Sequence, residues 1–227
     1  MIDWRAIDTV FLDMDGTLLD LHFDNVFWLN HLPRRYAEHH GLCPDEVSRR
    51  LHQLFRDKRG TLEWYCLDFW SRSLALDIAA LKVEIQYLIA ERPHALNFLK
   101  QLKAAGKQRC LITNAHPKSL ALKLSLTGIG SELDLILSSH QFGYPKEDQR
   151  FWRALQGFAP FDPGRSLFID DSISVLKAAE HYGIRHLLAI VQPDSKAQPV
   201  DTGHFAAIHH FDEIFPLDAP PARAEHG

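Results

Sequence analysis

The chemistry of this chain starts at Asp13-Met14-Asp15-Gly16-Thr17-Leu18. Two carboxylates stand two residues apart, just after the apolar run Val10-Phe11-Leu12 and just before a glycine. An apolar, partly β-branched run closed by a breaker reads as a buried strand. Both carboxylates then fall at its carboxyl end, where open α/β sheets bind ligands. One can act there as a nucleophile and the other as a proton-transfer partner. Further polar points follow along the chain: Thr113-Asn114 after an apolar run, Lys146 in a loop beyond another, and Asp170-Asp171 closing a third. Each alone has an ordinary reading, the Asp-Asp pair as a turn cap and Lys146 as a surface lysine. Placed in order at strand ends, they converge on one edge of a sheet. Four carboxylates in one cleft repel each other, and a hard divalent cation with oxygen ligands relieves that repulsion.

The elements that must position these groups follow from periodicity. Residues 8–13 form the first predicted strand and residues 14–20 a loop broken at Gly16. Helical patterns then run over Asn25 to His40, Pro44 to Lys58, Thr61 to Leu74 and Ile78 to Ala90, separated by Gly41, Gly60 and Asp77 as a candidate N-cap. From Pro93 onward helices and strands alternate: helix Pro93–Ala105, strand Arg109–Thr113, helix Pro117–Thr127, strand Leu133–Leu137, helix Glu147–Gln156, strand Ser166–Ile169, helix Ser174–Tyr182 and strand His186–Val191. Such alternation predicts an α/β fold with a Rossmann-like parallel sheet. The expected organisation is a core of residues 1–20 and 91–227, with residues 21–90 inserted after the first strand as an all-helical domain. The aromatic stretch Trp64 to Trp70 serves either as the core of a small bundle or as a face covering a flat ring. From Pro193 the chain is expected to wrap the surface, with Pro220 to Gly227 disordered.

Composition narrows the function classes. The chain has 227 residues and a net charge of −4, which carries no electrostatic footprint for a nucleic-acid polymer. No apolar run approaches a membrane span, and no signal peptide is expected. Cys43, Cys66 and Cys110 are widely spaced and contain no C-x-x-C, which fits a reducing cytoplasm. The fourteen histidines lack H-E-x-x-H or zinc-type spacing. Arg49, Arg50, Arg56, Lys58 and Arg59 read as a solvated helix face.

Asp13-Met14-Asp15-Gly16-Thr17, the Thr113 strand end, Lys146 and Asp170-Asp171-Ser172 together resemble the four motifs of haloacid dehalogenase superfamily phosphatases, and the helical insert resembles that superfamily's C1 cap. Trp64-Tyr65-Cys66-Leu67-Asp68, Thr113-Asn114-Ala115-His116-Pro117 and Phe142 to Arg150 are similar to the bacterial GMP/IMP nucleotidase subgroup. Motif three departs from the commonest form, since Pro145 precedes Lys146 and Glu147 follows it, a feature that subgroup shares.

The resemblance implies a Mg²⁺-dependent 5′-nucleotidase acting on purine monophosphates through an aspartyl-phosphate. Catalytic roles fall to Asp13, Asp15, Thr113 and Lys146. The implied metal ligands are Asp13, the Asp15 backbone carbonyl and a motif-four aspartate, Asp171 directly with Asp170 beside it. Asp15 favours phosphate esters over halides, because a halide leaves without a proton. Asn114, Asp24, Asn25 and Trp64 are expected to touch substrate, with His22 and Tyr65 as further candidates. The protein is expected to act as a monomer or weak homodimer. A sugar-phosphate phosphatase or phosphomutase, and a metal-binding regulatory protein without catalysis, are the competing readings.

Overall fold

The computed structural model describes residues 2–216. Its strands are β1 (Thr9–Leu12), β2 (Gln108–Thr113), β3 (Leu135–Ser138), β4 (Ser166–Asp170), β5 (His186–Ile190) and β6 (Ala207–Ile208), all parallel, in the order β3-β2-β1-β4-β5-β6. The α/β expectation is borne out. β1 lies at the centre, paired to β2 and β4, and all four of its residues are buried. Val10 and Leu12 pack into one apolar cluster with Phe98, Leu111 and Ile169, while Phe11 packs into another with Ile112, Trp152 and Phe168. Apolar residues on both faces are what a strand covered by helices on both sides requires.

Between β1 and β2 come α1 (His22–Val26), α2 (Leu32–His40), α3 (Pro44–Lys58), α4 (Leu62–Tyr65), α5 (Leu67–Leu74) and α6 (Ile78–Glu84). They share an apolar cluster of their own, including Phe23, Phe27, Val47, Phe55, Trp70 and Leu81. Beyond them lie α7 (Ala95–Ala104), α8 (Pro117–Leu126), α9 (Gln149–Phe158) and α10 (Ile173–Tyr182).

Three expectations are corrected. The helix over Thr61 to Leu74 is two helices, because Cys66 is extended and its sulfur accepts the Phe69 N–H as an N-cap. The first insert helix starts at His22 instead of Asn25, and a π-helical turn at Phe27–His31 precedes Pro33, which has no N–H to contribute. The tail does more than wrap the surface: β6 extends the sheet, and Phe211 is buried and stacks on Phe98 at 4.8 Å. The Arg92 guanidinium fixes this segment by donating to the carbonyls of Pro193 (3.1 Å) and His209 (2.8 Å). A two-residue strand carries too little periodicity to be read from sequence. The expected disorder of Pro220 to Gly227 lies outside the described residues.

Candidate active site

The sheet order places the ends of β1, β2 and β4 side by side, with Asp13, Thr113 and Asp170 at or just beyond them. The Asp13 N–H still donates to Ile169 O at 3.0 Å, so the first carboxylate is anchored by the sheet itself. The chain then turns sharply: Leu19 N–H donates to Met14 O and Gly16 N–H to Leu19 O, each at 2.8 Å. Gly16 has φ +85°, and a Cβ there would lie 2.6 Å from the Asp171 carboxylate. Glycine is required both for the backbone and for the close approach of motif one to motif four.

Lys146 reaches in from the loop after β3. Its ammonium is 2.5 Å from Asp13 Oδ1 and 2.7 Å from Asp170 Oδ2, and it donates to Ile112 O at 3.2 Å. Burial alone would lower this ammonium, but Asp13 and Asp170 outweigh burial and hold it above its ordinary range. Asp13, Asp170 and Asp171 each offer an oxygen within 4.8 Å of one another. Burial pushes Asp13 up to about 6, and Asp171 rises well above its ordinary value through burial and the adjacent Asp170 and Asp13. Among the described residues no side chain donates a hydrogen bond to Asp171, whereas Asp170 accepts from Lys146 and from Ser172 N–H. Three carboxylates carrying one ammonium between them leave excess negative charge. That donor set fits a hard divalent cation.

Asp15 faces the same cavity but belongs to a different charge group. Its Oδ1 is 2.6 Å from Lys123 Nζ, and burial pushes it up to about 6. Asp24 also lines the cavity, yet both its oxygens are committed, to Lys123 at 2.6 Å and Lys82 at 2.7 Å. Burial would raise Asp24; the two lysines overcome that and hold it at about 2. Asp24, expected at the substrate, thus borders the cavity while pairing with two buried lysines.

Asn114 is likewise committed. Its Oδ1 accepts the Lys146 N–H at 2.9 Å and its Nδ2 donates to Glu147 Oε2 at 3.0 Å, so it shapes the Lys146 loop. Thr113 is buried, borders the cavity and accepts the Ala115 N–H at 3.0 Å. Asn25 donates to Asp194 at 2.8 Å, and His22 Nδ1 lies 3.1 Å from the same carboxylate. Trp64 lines the cavity with its ring against Phe55 and Trp70. Tyr65 donates to Glu147 Oε1 at 2.7 Å, tying α4 to the Lys146 loop.

The cavity between the strand ends and the helical insert measures about 770 Å³. Its walls combine Asp13, Asp15, Thr113, Lys146 and Asp171 on the sheet side with Trp28, Trp64, Tyr65 and Trp70 on the insert side. Arg59, read as solvated, is exposed but also borders the cavity, where the chain turns back at Gly60. Sequence reasoning missed Lys123, Lys82, Glu147 and Asp194. A lysine inside Leu120-Ala121-Leu122-Lys123-Leu124 is a weak hint of burial, but its partners stand 108 and 99 residues away.

The fold is shared with an HAD phosphatase from Thermococcus onnurineus, with a TM-score of 0.75 at 20% identity over 91% of this chain and 95% of that one. A dehalogenase structure covers 96% of this chain and 99% of its own, with a TM-score of 0.64 at 21% identity. In sequence, the GMP/IMP nucleotidase YrfG of Escherichia coli (strain K12) is 50% identical over 194 residues, 86% of this chain and 87% of the relative. The pyrophosphatase PpaX of Bacillus velezensis is 21% identical over 183 residues, 80% of this chain and 82% of its own. Residues 7–183 match the haloacid dehalogenase-like hydrolases as a family. With that match and a relative at half identity over most of both chains, this protein belongs to the haloacid dehalogenase-like hydrolase family.

Proposed function

We propose that this chain is a Mg²⁺-dependent phosphomonoester hydrolase releasing phosphate from purine nucleoside 5′-monophosphates, with residues 21–90 forming a cap over a core made of the rest. The observation that carries the reading is the cluster of Asp13, Asp170 and Asp171, oxygens within 4.8 Å, with Lys146 on Asp13 and Asp15 in the same cavity. The relative named for GMP and IMP supports the substrate class. The cavity volume of about 770 Å³, with tryptophans on one wall, suits a nucleotide.

Asp13, the Asp15 backbone carbonyl and Asp171 would hold Mg²⁺, with Asp170 beside them tied to Lys146. When bound, the cation screens the carboxylates from each other and draws charge from the phosphoryl oxygens. A carboxylate oxygen of Asp13 attacks phosphorus, forming the Asp13 O–P bond as the bond to the ribose 5′ oxygen breaks. The protonated Asp15 carboxyl gives its proton to that departing oxygen. Asp15, now a carboxylate, takes a proton from water as the water oxygen attacks phosphorus. Phosphate leaves and Asp13 is restored. Lys146 and the Thr113 hydroxyl face the charge spread over the phosphoryl oxygens, so positioning and electrostatics supply most of the rate.

The test is phosphate release from GMP, IMP, AMP and a panel of sugar phosphates, with and without EDTA. Chelator-sensitive release with preference for the 6-oxopurine nucleotides is expected. Activity untouched by EDTA, or a preference for sugar phosphates, overturns the reading.

A further inference from the structure

Lys123 lies on α8 with its side chain 2% exposed, and its ammonium sits 2.6 Å from Asp15 Oδ1 and 2.6 Å from Asp24 Oδ2. Asp24 gives its other oxygen to Lys82 at 2.7 Å. The result is a row of alternating charges, Asp15–Lys123–Asp24–Lys82, running from the loop after β1 through α8 and α1 to α6. The Phe23 ring lies beneath both ammonium groups, 5.2 Å from Lys123 and 4.7 Å from Lys82. In such surroundings a cation shared by two carboxylates fixes both, because leaving either buried charge unpaired is costly.

We propose that Lys123 is a positioning residue for Asp15, aiming its carboxyl at the leaving oxygen, and that it does so only while α1 and α6 are seated against α8. This rests on the phosphatase reading above. One oxygen of Asp15 is held on Lys123, leaving the other to exchange the proton with the leaving group and then with water. Asp24, the partner on the insert, holds the Lys123 ammonium from the opposite side. Separation of the insert from α8 removes that second contact and frees the ammonium, and Asp15 with it, to move. Proton transfer is thereby tied to the conformation in which the insert is seated.

The consequence depends on the leaving group. A ribose 5′ oxygen must be protonated to depart; p-nitrophenolate departs without a proton. Both esters share the second step, in which Asp15 acts on water. Lys123→Met, close in volume, is therefore expected to lower kcat for GMP by about 100-fold, the usual size of a misplaced proton-transfer group. On p-nitrophenyl phosphate its first turnover stays within about fivefold of the unmodified protein, since only the second step needs Asp15, and a burst of one p-nitrophenolate per site precedes slow turnover. A structural defect alone would slow the first turnover on both esters alike and give no burst.

Stopped-flow p-nitrophenolate release and quenched-flow phosphate release read these quantities, with the melting transition confirming a folded variant. Lys123→Gln carries the same test if Lys123→Met does not fold. A kcat for GMP within about threefold of the unmodified protein, or equal first-turnover losses on both esters, overturns the proposal. EDTA sensitivity and the Asp13→Asn variant test the phosphatase reading separately. If those behave as expected and Lys123→Met turns over GMP normally, only the role of Lys123 fails.

Discussion

Lys146 and Lys123 are chemically the same device in two regions of one cavity. Each side chain is 2% exposed, and each ammonium lies between two aspartates. Their partners differ in where they are anchored. Asp13 and Asp170 are held at the ends of adjacent parallel strands, so the Lys146 clamp is as rigid as the sheet. Asp15 lies in the loop after β1 and Asp24 on α1, so the Lys123 clamp ties that loop to the helices between β1 and β2. A buried cation between carboxylates is a fixed charge when its partners share a sheet, and depends on helix packing when one partner stands on a helix outside it.

The contrast is broken most severely at the rigid end. Asp13→Asn removes the carboxylate proposed to attack phosphorus, and steady-state phosphate release should fall by about 10⁴-fold or more, as for other nucleophile deletions. Lys146→Met should cost about 10³-fold in kcat, because the cation proposed to face the phosphoryl oxygens is lost, and the same assay reads both variants. Survival of more than a tenth of the activity in either would remove the sheet-anchored group from the chemistry.

Gly16→Ala tests the close approach of the motif-one loop to motif four. The added Cβ would stand 2.6 Å from Asp171. Displacing that carboxylate should weaken Mg²⁺ by about 10- to 100-fold, measured as the Mg²⁺ concentration giving half-maximal rate. Unaltered Mg²⁺ dependence would show that Asp171 does not need this position.

The buried carboxylates should also differ in pH dependence, even within the Lys123 clamp. Burial raises Asp13 and Asp15 to about 6, so the folded protein keeps protons that the unfolded chain has released. Their contribution in metal-free protein therefore falls as pH rises from about 4 to about 6 and is level above that. Mg²⁺ competes with those protons, so its effect on the melting temperature should be several degrees near pH 7.5 and shrink towards zero near pH 5. Asp24, held at about 2 against burial by Lys123 and Lys82, works in the opposite sense: its stabilisation is present above about pH 4 and is lost towards about pH 2. A Mg²⁺ effect independent of pH between 5 and 7.5 would contradict the raised carboxylates.

Tyr65→Phe is the mildest variant. It deletes the 2.7 Å hydrogen bond from α4 to Glu147 and leaves both lysine clamps in place. Loss of one such bond should raise KM for GMP about three- to tenfold with kcat within twofold. A larger loss in kcat than in KM would place Glu147 closer to the chemistry than the hydrogen bonds suggest.

Several elements were legible because their signals are local. The run Val10-Phe11-Leu12 before Asp13, the alternation of helices and strands after Pro93, and Gly16 as a breaker are carried by neighbouring residues. Asp13, Thr113, Lys146 and Asp170 could be expected at one sheet edge because parallel strands deliver their carboxyl ends together. Cys66 gave no warning that it would split a helix, since its sulfur acts on the Phe69 N–H only once the chain has turned. Asp24 and Asn114 are expected from sequence to touch substrate, and the structure adds partners remote in sequence that the sequence does not show.

By itself, then, the sequence determined the order of strands and helices and which residue types stand at the strand ends, because burial periodicity and turn chemistry act over a few residues. Only the tertiary structure decided how the charges pair. It joined Lys123 to Asp15 and Asp24 across 108 and 99 residues, committed Glu147 to both Tyr65 and Asn114, and brought Asp194 to Asn25. Buried charges must be matched wherever packing leaves them, and packing is settled over the whole chain.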